Sequence, residues 1–340
     1  MRNWTQKWSG ILLAVALTNF VGAAHAADVK ILNVSYDVTR EFYANFNQVF
    51  AAHWKEKTGN LVSISQSHGG SSKQAQSVVN GLEADVVTMN QPLDVDILFS
   101  SGRLIPKNWA TRLPGHSVPY NSTIVFVVRK GNPKNIKNWD DITQPNTSVI
   151  IPNPKTSGNG RYSYLAAWGY ALKKSAGDEK LAREFLSKLF AEVPVLDTGG
   201  RGATMTFANH GIGDVLLTFE SEAAQIQKFF TDDGFEVVVP PTSILAENPV
   251  AWVDRNVERH GTEAVARAYL EYLYSDEGQE LAAKYYFRPK SQSVLTKYAD
   301  RFKPVDLFTV NEVAGGWDKA QKVHFADGGI FDQIYTNNKK

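Results

Sequence analysis

Strand-like and helix-like segments alternate along this chain without a linker, and that alternation most restricts how it can fold. Residues 29–34 read as a buried strand. After Asp37, the residues Phe42, Phe46, Val49, Phe50 and Trp54 recur at helical spacing, and Gly59 stands where a helix-ending glycine belongs. A strand at 61–64, a helix at 72–82 and a strand at 84–89 follow. Further strands are expected at 123–128, 149–151, 215–219, 236–239 and 250–253. Helices are expected at 160–174, 181–190, 264–274 and 277–285, the second of them with Leu181, Phe185, Leu186 and Leu189 on one face. Repeated strand–helix–strand units predict an α/β fold of mostly parallel sheets flanked by helices.

The 340 residues suffice for two lobes. Successive domains are normally joined by an exposed polar segment, whereas the candidate crossings here, near Ser122 and Pro249, look like strands. This predicts one lobe inserted into the other: residues 27–121 and 250–340 form the first, residues 122–249 the second, and a cleft separates them.

The N-terminus points to export. Arg2 and Lys7 precede an apolar stretch from Gly10 to Ala23, which ends in Ala24-His25-Ala26. This is the pattern of a signal peptide, residues 1–26, cut after Ala26. The stretch is short for a bilayer span, which takes about 20 apolar residues, so the processed chain is expected to be soluble. The chain has 36 basic and 35 acidic residues, and this near-neutral balance offers no argument for a nucleic-acid partner. It has no cysteine, which excludes disulfides and thiolate metal sites. Methionine occurs only at Met1, Met89 and Met205. Such sparing use of sulfur fits a protein made under sulfur shortage, and chance also produces it.

Four helix starts carry small or capping residues: Asp37; Gly69-Gly70-Ser71; Ser157-Gly158-Asn159-Gly160; and Gly199-Gly200-Arg201-Gly202. A helix start leaves unpaired N–H groups and partial positive charge, and glycine lets an anion approach the backbone. The structural alternative stands beside this reading: Asp37 is an ordinary N-cap residue and Ser71-x-x-Gln74 fits a capping box. Four such starts after strands favour convergence, since ligands of α/β sheets bind beyond the carboxyl ends of the strands. Fixed neutral donors with few acceptors beside them suit an unprotonated dianion, which accepts hydrogen bonds and donates none. Nothing in the sequence requires a cofactor. The seven histidines form no HExxH or close-spaced metal pair, no Gly-Lys-Ser/Thr phosphate loop is present, and GHSVP at Gly115 lacks the last glycine of a nucleophile elbow. His68 stands near a candidate site without a nucleophile motif and reads as structural. A hydrolase of sulfur esters using Ser157 or His68 is the rival of a different class.

At these same residues the chain resembles the periplasmic sulfate- and thiosulfate-binding family. LNVSYDVTREF at Leu32, QSHGGSSKQ at Gln66, VRKGNPKNI at Val128, IPNPKTSGNGR at Ile151, GGRGATMTF at Gly199 and HFADGGIFDQI at His324 carry the resemblance. It implies the type II fold of periplasmic binding proteins, with two lobes around a hinged cleft. It also implies a monomer that delivers its anion to the membrane permease of an ABC transporter. Carried over, the Asp37 N–H, a donor at Ser71, the Ser157 hydroxyl and the N–H groups of Gly158, Asn159 and Gly200 would contact the anion. Tyr36, Gly70 and Arg201 would support them.

Two departures from the sulfate branch bear on the ligand. That branch has an indole donor where this chain has Phe219, and apolar residues where it has Asn90-Gln91. TMNQ, NPKTSGN, TGGRGAT and FESE look like the thiosulfate-binding branch. Thiosulfate replaces one oxygen by a larger, weaker-accepting sulfur. Phe219 could face that sulfur while Asn90 or Gln91 supplies a lost donor; equally, Phe219 reads as core and Asn90 as a turn cap.

Overall fold

A computed structural model describes residues 28–231 and 234–338. Residues 1–26, expected to be a signal peptide, lie outside the described residues.

Two sheets form the two lobes. In the first, β1 (Asp28–Tyr36) lies between β2 (Leu61–Gly69) and β3 (Val86–Thr88), parallel to both, and the edge strand Val250–Trp252 runs antiparallel to β3. In the second, the strand Val149–Pro152 is parallel to Leu196–Asp197 on one side and to Val215–Phe219 on the other. Ile124–Val128 then runs antiparallel to both Val215–Phe219 and Glu236–Val238. The mostly parallel arrangement therefore holds for the first sheet, while the second is evenly mixed. Its strand Ile124–Val128 arrives directly from the first lobe and enters in the opposite sense.

Register brings the helix starts together. Tyr36 pairs with Gly69, so Asp37 and Gly70 leave the first sheet side by side. Pro152 pairs with Asp197, so the segments leading to Ser157 and Gly199 leave the second sheet together. Of the helices that follow, α1 (Arg40–Thr58) places Phe42, Phe46 and Phe50 fully in the core. Burying each such ring contributes about 1.5–3 kcal/mol. Gly59 ends α1 at φ +76°, a left-handed conformation that favours glycine. The helix Glu179–Ala191 buries Ala182, Leu186, Leu189 and Phe190, whereas Leu181 is 49% exposed. Its buried stripe is thus rotated from the expected one. The periodicity allowed either side, and packing against the helix Gly158–Lys174 chose one.

The chain passes between the sheets twice through paired strands, Tyr120–Ser122 antiparallel to Ala246–Asn248. Arg288–Pro289 also pairs with Tyr120–Ser122. The C-terminal segment departs from expectation. Asp306–Phe308 pairs with Thr242–Ile244, Trp168 Nε1 donates to the Val313 carbonyl at 3.1 Å, and Phe331 packs on Phe190. From Asp306 onward the chain therefore lies mainly against elements of residues 122–249, with Trp317–Ala320 also meeting the helix Pro92–Ser100 of the first lobe. The cause is the helix Gly158–Lys174, buried from Gly158 through Ala171, whose outer face needs a cover.

Candidate functional site

The helix starts of the two lobes meet face to face. A methyl group on Gly70 would lie 3.1 Å from the Thr156 carbonyl oxygen and 3.2 Å from that of Thr198. On Gly199 it would lie 2.7 Å from Asp37 Oδ2; on Gly200, 2.8 Å from Asn159 Nδ2 and 3.2 Å from Val38 Cγ1. On Gly158 it would fall inside the Asn90 carboxamide, 2.6 Å from its Cγ. The glycines are thus required by close approach between lobes. All four expected starts, those at Asp37, Ser71, Gly158 and Gly200, are brought together.

Asp37 does not act as an ordinary cap. It is the first residue of a short helix whose N-cap position is Tyr36, and its Oδ2 accepts the Arg201 N–H at 3.0 Å from the opposite lobe. Desolvation raises its pKa above the usual carboxylate range, against the lowering effect of the Arg201 N–H. The capping box at Ser71 is also absent. Gly70 is the N-cap without a side-chain bond, and Gln74 Nε2 donates to the Ser35 carbonyl at 3.3 Å and to Ser67 Oγ at 3.0 Å. Ser71 Oγ instead accepts the Asn90 N–H at 3.2 Å, tying two candidate residues together.

On the opposing wall, Ser157 caps its own helix by accepting the Gly160 N–H at 3.3 Å. Its hydroxyl proton remains available to an acceptor. Asn159 Nδ2 donates to Thr218 Oγ1 at 3.0 Å, which spends its side chain inside the lobe. Phe219 is fully buried between two tyrosine rings, 6.2 Å from Tyr36 and 5.8 Å from Tyr162 between centroids, both edge-on. Gln91 Nε2 donates to Ser72 Oγ at 3.1 Å. Asn90 Oδ1, Gln91 Oε1 and the Tyr36 hydroxyl are buried and make no protein hydrogen bond.

The sequence alone suggested a cleft poor in acceptors. The walls in fact carry Asn90 Oδ1, Gln91 Oε1 and two buried carboxylates, Asp94 and Glu222. Both carboxylates were missed. Asp94 sits in the first turn of the helix Pro92–Ser100, and Pro92 at its opening was the available signal. Burial raises its pKa, opposed mainly by the charge of Arg161 in the other lobe. Glu222 accepts from Thr204 Oγ1 at 2.6 Å. Desolvation pushes it up to about 7, although the Thr204 bond and Arg201 pull it down. Arg201 lies 3.7 Å from Glu222 and 3.8 Å, across the cleft, from Glu41. Its guanidinium therefore lies at the lobe interface.

His68 is engaged on both sides, Nδ1 with the Tyr36 carbonyl at 3.1 Å and Nε2 with Gln66 Oε1 at 2.6 Å. Burial lowers its pKa. A side chain so occupied orients Tyr36, and no serine hydroxyl is within its hydrogen bonds. Among the described residues no cluster of three or more His, Asp or Glu could hold a metal, and no helix is long and apolar enough to cross a membrane.

A family profile described as bacterial extracellular solute-binding protein matches residues 38–288. The chain belongs to this family. Its sequence is 57% identical over 331 residues to a thiosulfate-binding protein of Pseudomonas aeruginosa, covering 97% of this chain and 99% of that protein. It is 54% identical over 329 residues to a sulfate-binding protein of Escherichia coli, covering 96% and 98%. The solved structure of the sulfate-binding protein SubI from Mycobacterium tuberculosis superposes with a TM-score of 0.79 at 30% identity, covering 86% of this chain and 98% of that one. The solute-binding fold thus accounts for the two lobes and the cleft.

Proposed function

We propose that this solute-binding protein captures thiosulfate or sulfate between its lobes and delivers it to the membrane permease of an ABC transporter for sulfur uptake. The observation that carries this reading is the convergence of helix starts from both lobes, at Asp37, Ser71, Gly158 and Gly200, on one seam. Charge-assisted hydrogen bonds contribute about 1.5–3 kcal/mol each. A few of them, with dipole terms of about 0.3–1 kcal/mol, reach the roughly −8 kcal/mol of micromolar binding. The ligand donors in this reading are the N–H groups of Asp37, Gly158, Asn159 and Gly200 with the hydroxyls of Ser71 and Ser157. Asn90 and Gln91 line the seam beside them. Export through a cleaved leader, residues 1–26, and a periplasmic location accord with the family. The close relatives are binding proteins rather than enzymes.

Packing supports a lobe division different from the one the sequence suggested. Residues 28–121 with 250–305 form the first lobe, and residues 122–249 with 306–338 the second.

Thiosulfate is the preferred ligand in this reading. In this reading the Phe219 ring meets the sulfur atom, a contact of about 0.3–1.5 kcal/mol, and supplies no hydrogen-bond donor for a fourth oxygen. Calorimetry on ligand-stripped protein, with thiosulfate, sulfate and phosphate in turn, tests both levels. Micromolar or tighter binding of a sulfur oxyanion, with phosphate weaker, is expected. Absence of binding by both sulfur anions would overturn the function, and sulfate bound much more tightly than thiosulfate would overturn the preference. Phe219→Trp should shift the preference toward sulfate.

A further inference from the structure

The ligand-facing loop of the second lobe is held from behind by the end of the chain. The loop runs from Asn153 to Ser157, between the strand Val149–Pro152 and the helix Gly158–Lys174. Inside the lobe it is braced to the approach of Gly199: the Asn153 N–H donates to the Asp197 carbonyl at 2.7 Å, and Thr156 Oγ1 donates to the Thr198 carbonyl at 3.0 Å. Neither bond restrains the middle of the loop from its outer side. Lys155 does so. Its Nζ donates at 3.0 Å to each of three acceptors, the Phe325 carbonyl, Asp327 Oδ1 and Asp332 Oδ2. All three lie more than 165 residues downstream. Arg161 adds a second tie, donating from Nε to the Pro154 carbonyl at 3.0 Å while its guanidinium lies 5.4 Å from the Phe325 ring centre. Tyr164 and His324 Nδ1 share a hydrogen bond of 3.0 Å one turn further along the helix.

We infer that Lys155 is a positioning residue for anion binding: by anchoring the Asn153–Ser157 loop to the C-terminal segment, it sets the direction of the Ser157 hydroxyl and of the Gly158 and Asn159 N–H groups. The C-terminal segment is thereby a working part of the ligand site, although it contributes no ligand contact. An ammonium with three donors suits this junction, because it can satisfy one carbonyl and two carboxylates at once. Asp332 is itself fixed, its Oδ2 also accepting the Gly328 N–H at 2.9 Å. A ring of donors tolerates little misplacement, since hydrogen bonds weaken steeply away from linear geometry. Releasing the loop therefore costs affinity in a protein that remains folded.

The inference rests on the proposed function, and the experiment separates the two. Thiosulfate and sulfate are titrated calorimetrically into the full chain, into Lys155→Met and into Asp332→Asn, with thermal unfolding of each ligand-free protein alongside. Affinity for the better anion should fall about tenfold in either variant, a change of about 1.4 kcal/mol. The double variant should bind no more weakly than Lys155→Met, and Lys155→Arg should recover part of the loss. Lys297→Met, which breaks an exposed pair with Glu280 at 2.5 Å on another face, should leave affinity unchanged. Asp332→Asn keeps the question open to measurement should Lys155→Met fold poorly. Unaltered affinity in both folded variants would overturn the inference alone. No binding by the unaltered protein would remove the functional reading and this inference with it.

Discussion

Gly158 offers the most direct probe of whether the lobes close as described. A β-carbon there meets the Asn90 carboxamide, with Cγ at 2.6 Å and Nδ2 at 2.8 Å, where real contacts stay beyond 3.0 Å. The two residues belong to opposite lobes, so the clash of Gly158→Ala exists only when the lobes are together. Asn90 is 2% exposed, which leaves its side chain little room to swing away. Overpacking of this kind costs about 1–3 kcal/mol, and the cost falls on the closed state that ligand selects. Affinity should drop roughly fivefold to 150-fold, at 1.4 kcal/mol per tenfold. The melting temperature of the ligand-free protein should change little, because separated lobes relieve the contact. Gly160→Ala is the internal contrast. Its β-carbon would press on the Pro152–Asn153 backbone of the same lobe, 2.8 Å from the Asn153 carbonyl carbon, so it should lower the melting temperature directly. Adding Asn90→Ala to Gly158→Ala should restore compaction on ligand addition in small-angle scattering and recover part of the affinity. Wild-type affinity in Gly158→Ala would refute the closed geometry. A double variant as weak as the single one would place the cost on ligand approach instead.

Glu222 makes stability depend on pH. Its folded pKa of about 7 lies above the ordinary value of 4.5. Its favourable share is therefore complete below pH 4.5 and is lost as pH rises through 7, on the order of 3 kcal/mol. Glu222→Gln should narrow the gap in melting temperature between pH 5 and pH 8, and an unchanged gap would count against the assignment. The rotated face of the helix Glu179–Ala191 gives a paired test by denaturant titration. Leu186→Ala, at a fully buried position, should cost about 2–5 kcal/mol. Leu181→Lys, at a half-exposed one, should change stability by no more than about 0.5 kcal/mol; equal costs would refute the observed orientation.

The sequence by itself determined the α/β class, the positions of most strands and helices, and the four helix starts. These rest on local physics: side-chain periodicity, helix-terminating glycine and the unpaired N–H groups of a first turn. Even there it left choices open. The stripe containing Leu181 and the stripe containing Ala182 are both compatible with one helix, and only neighbouring helices select between them. Asp37 reads locally as a cap, yet its carboxylate finds a better partner in the Arg201 N–H, 164 residues away. The burial of Asp94 and Glu222 comes from tertiary packing, which local spacing does not show. The end of the chain was least legible. Nothing in Lys155, Asp327 or Asp332 taken separately signals a bond, since charged residues in loops are ordinarily solvated. Tertiary structure alone decided that the seam of helix starts has a back wall made from the C-terminus, because contacts between distant segments depend on how two sheets come together and leave no trace in local spacing.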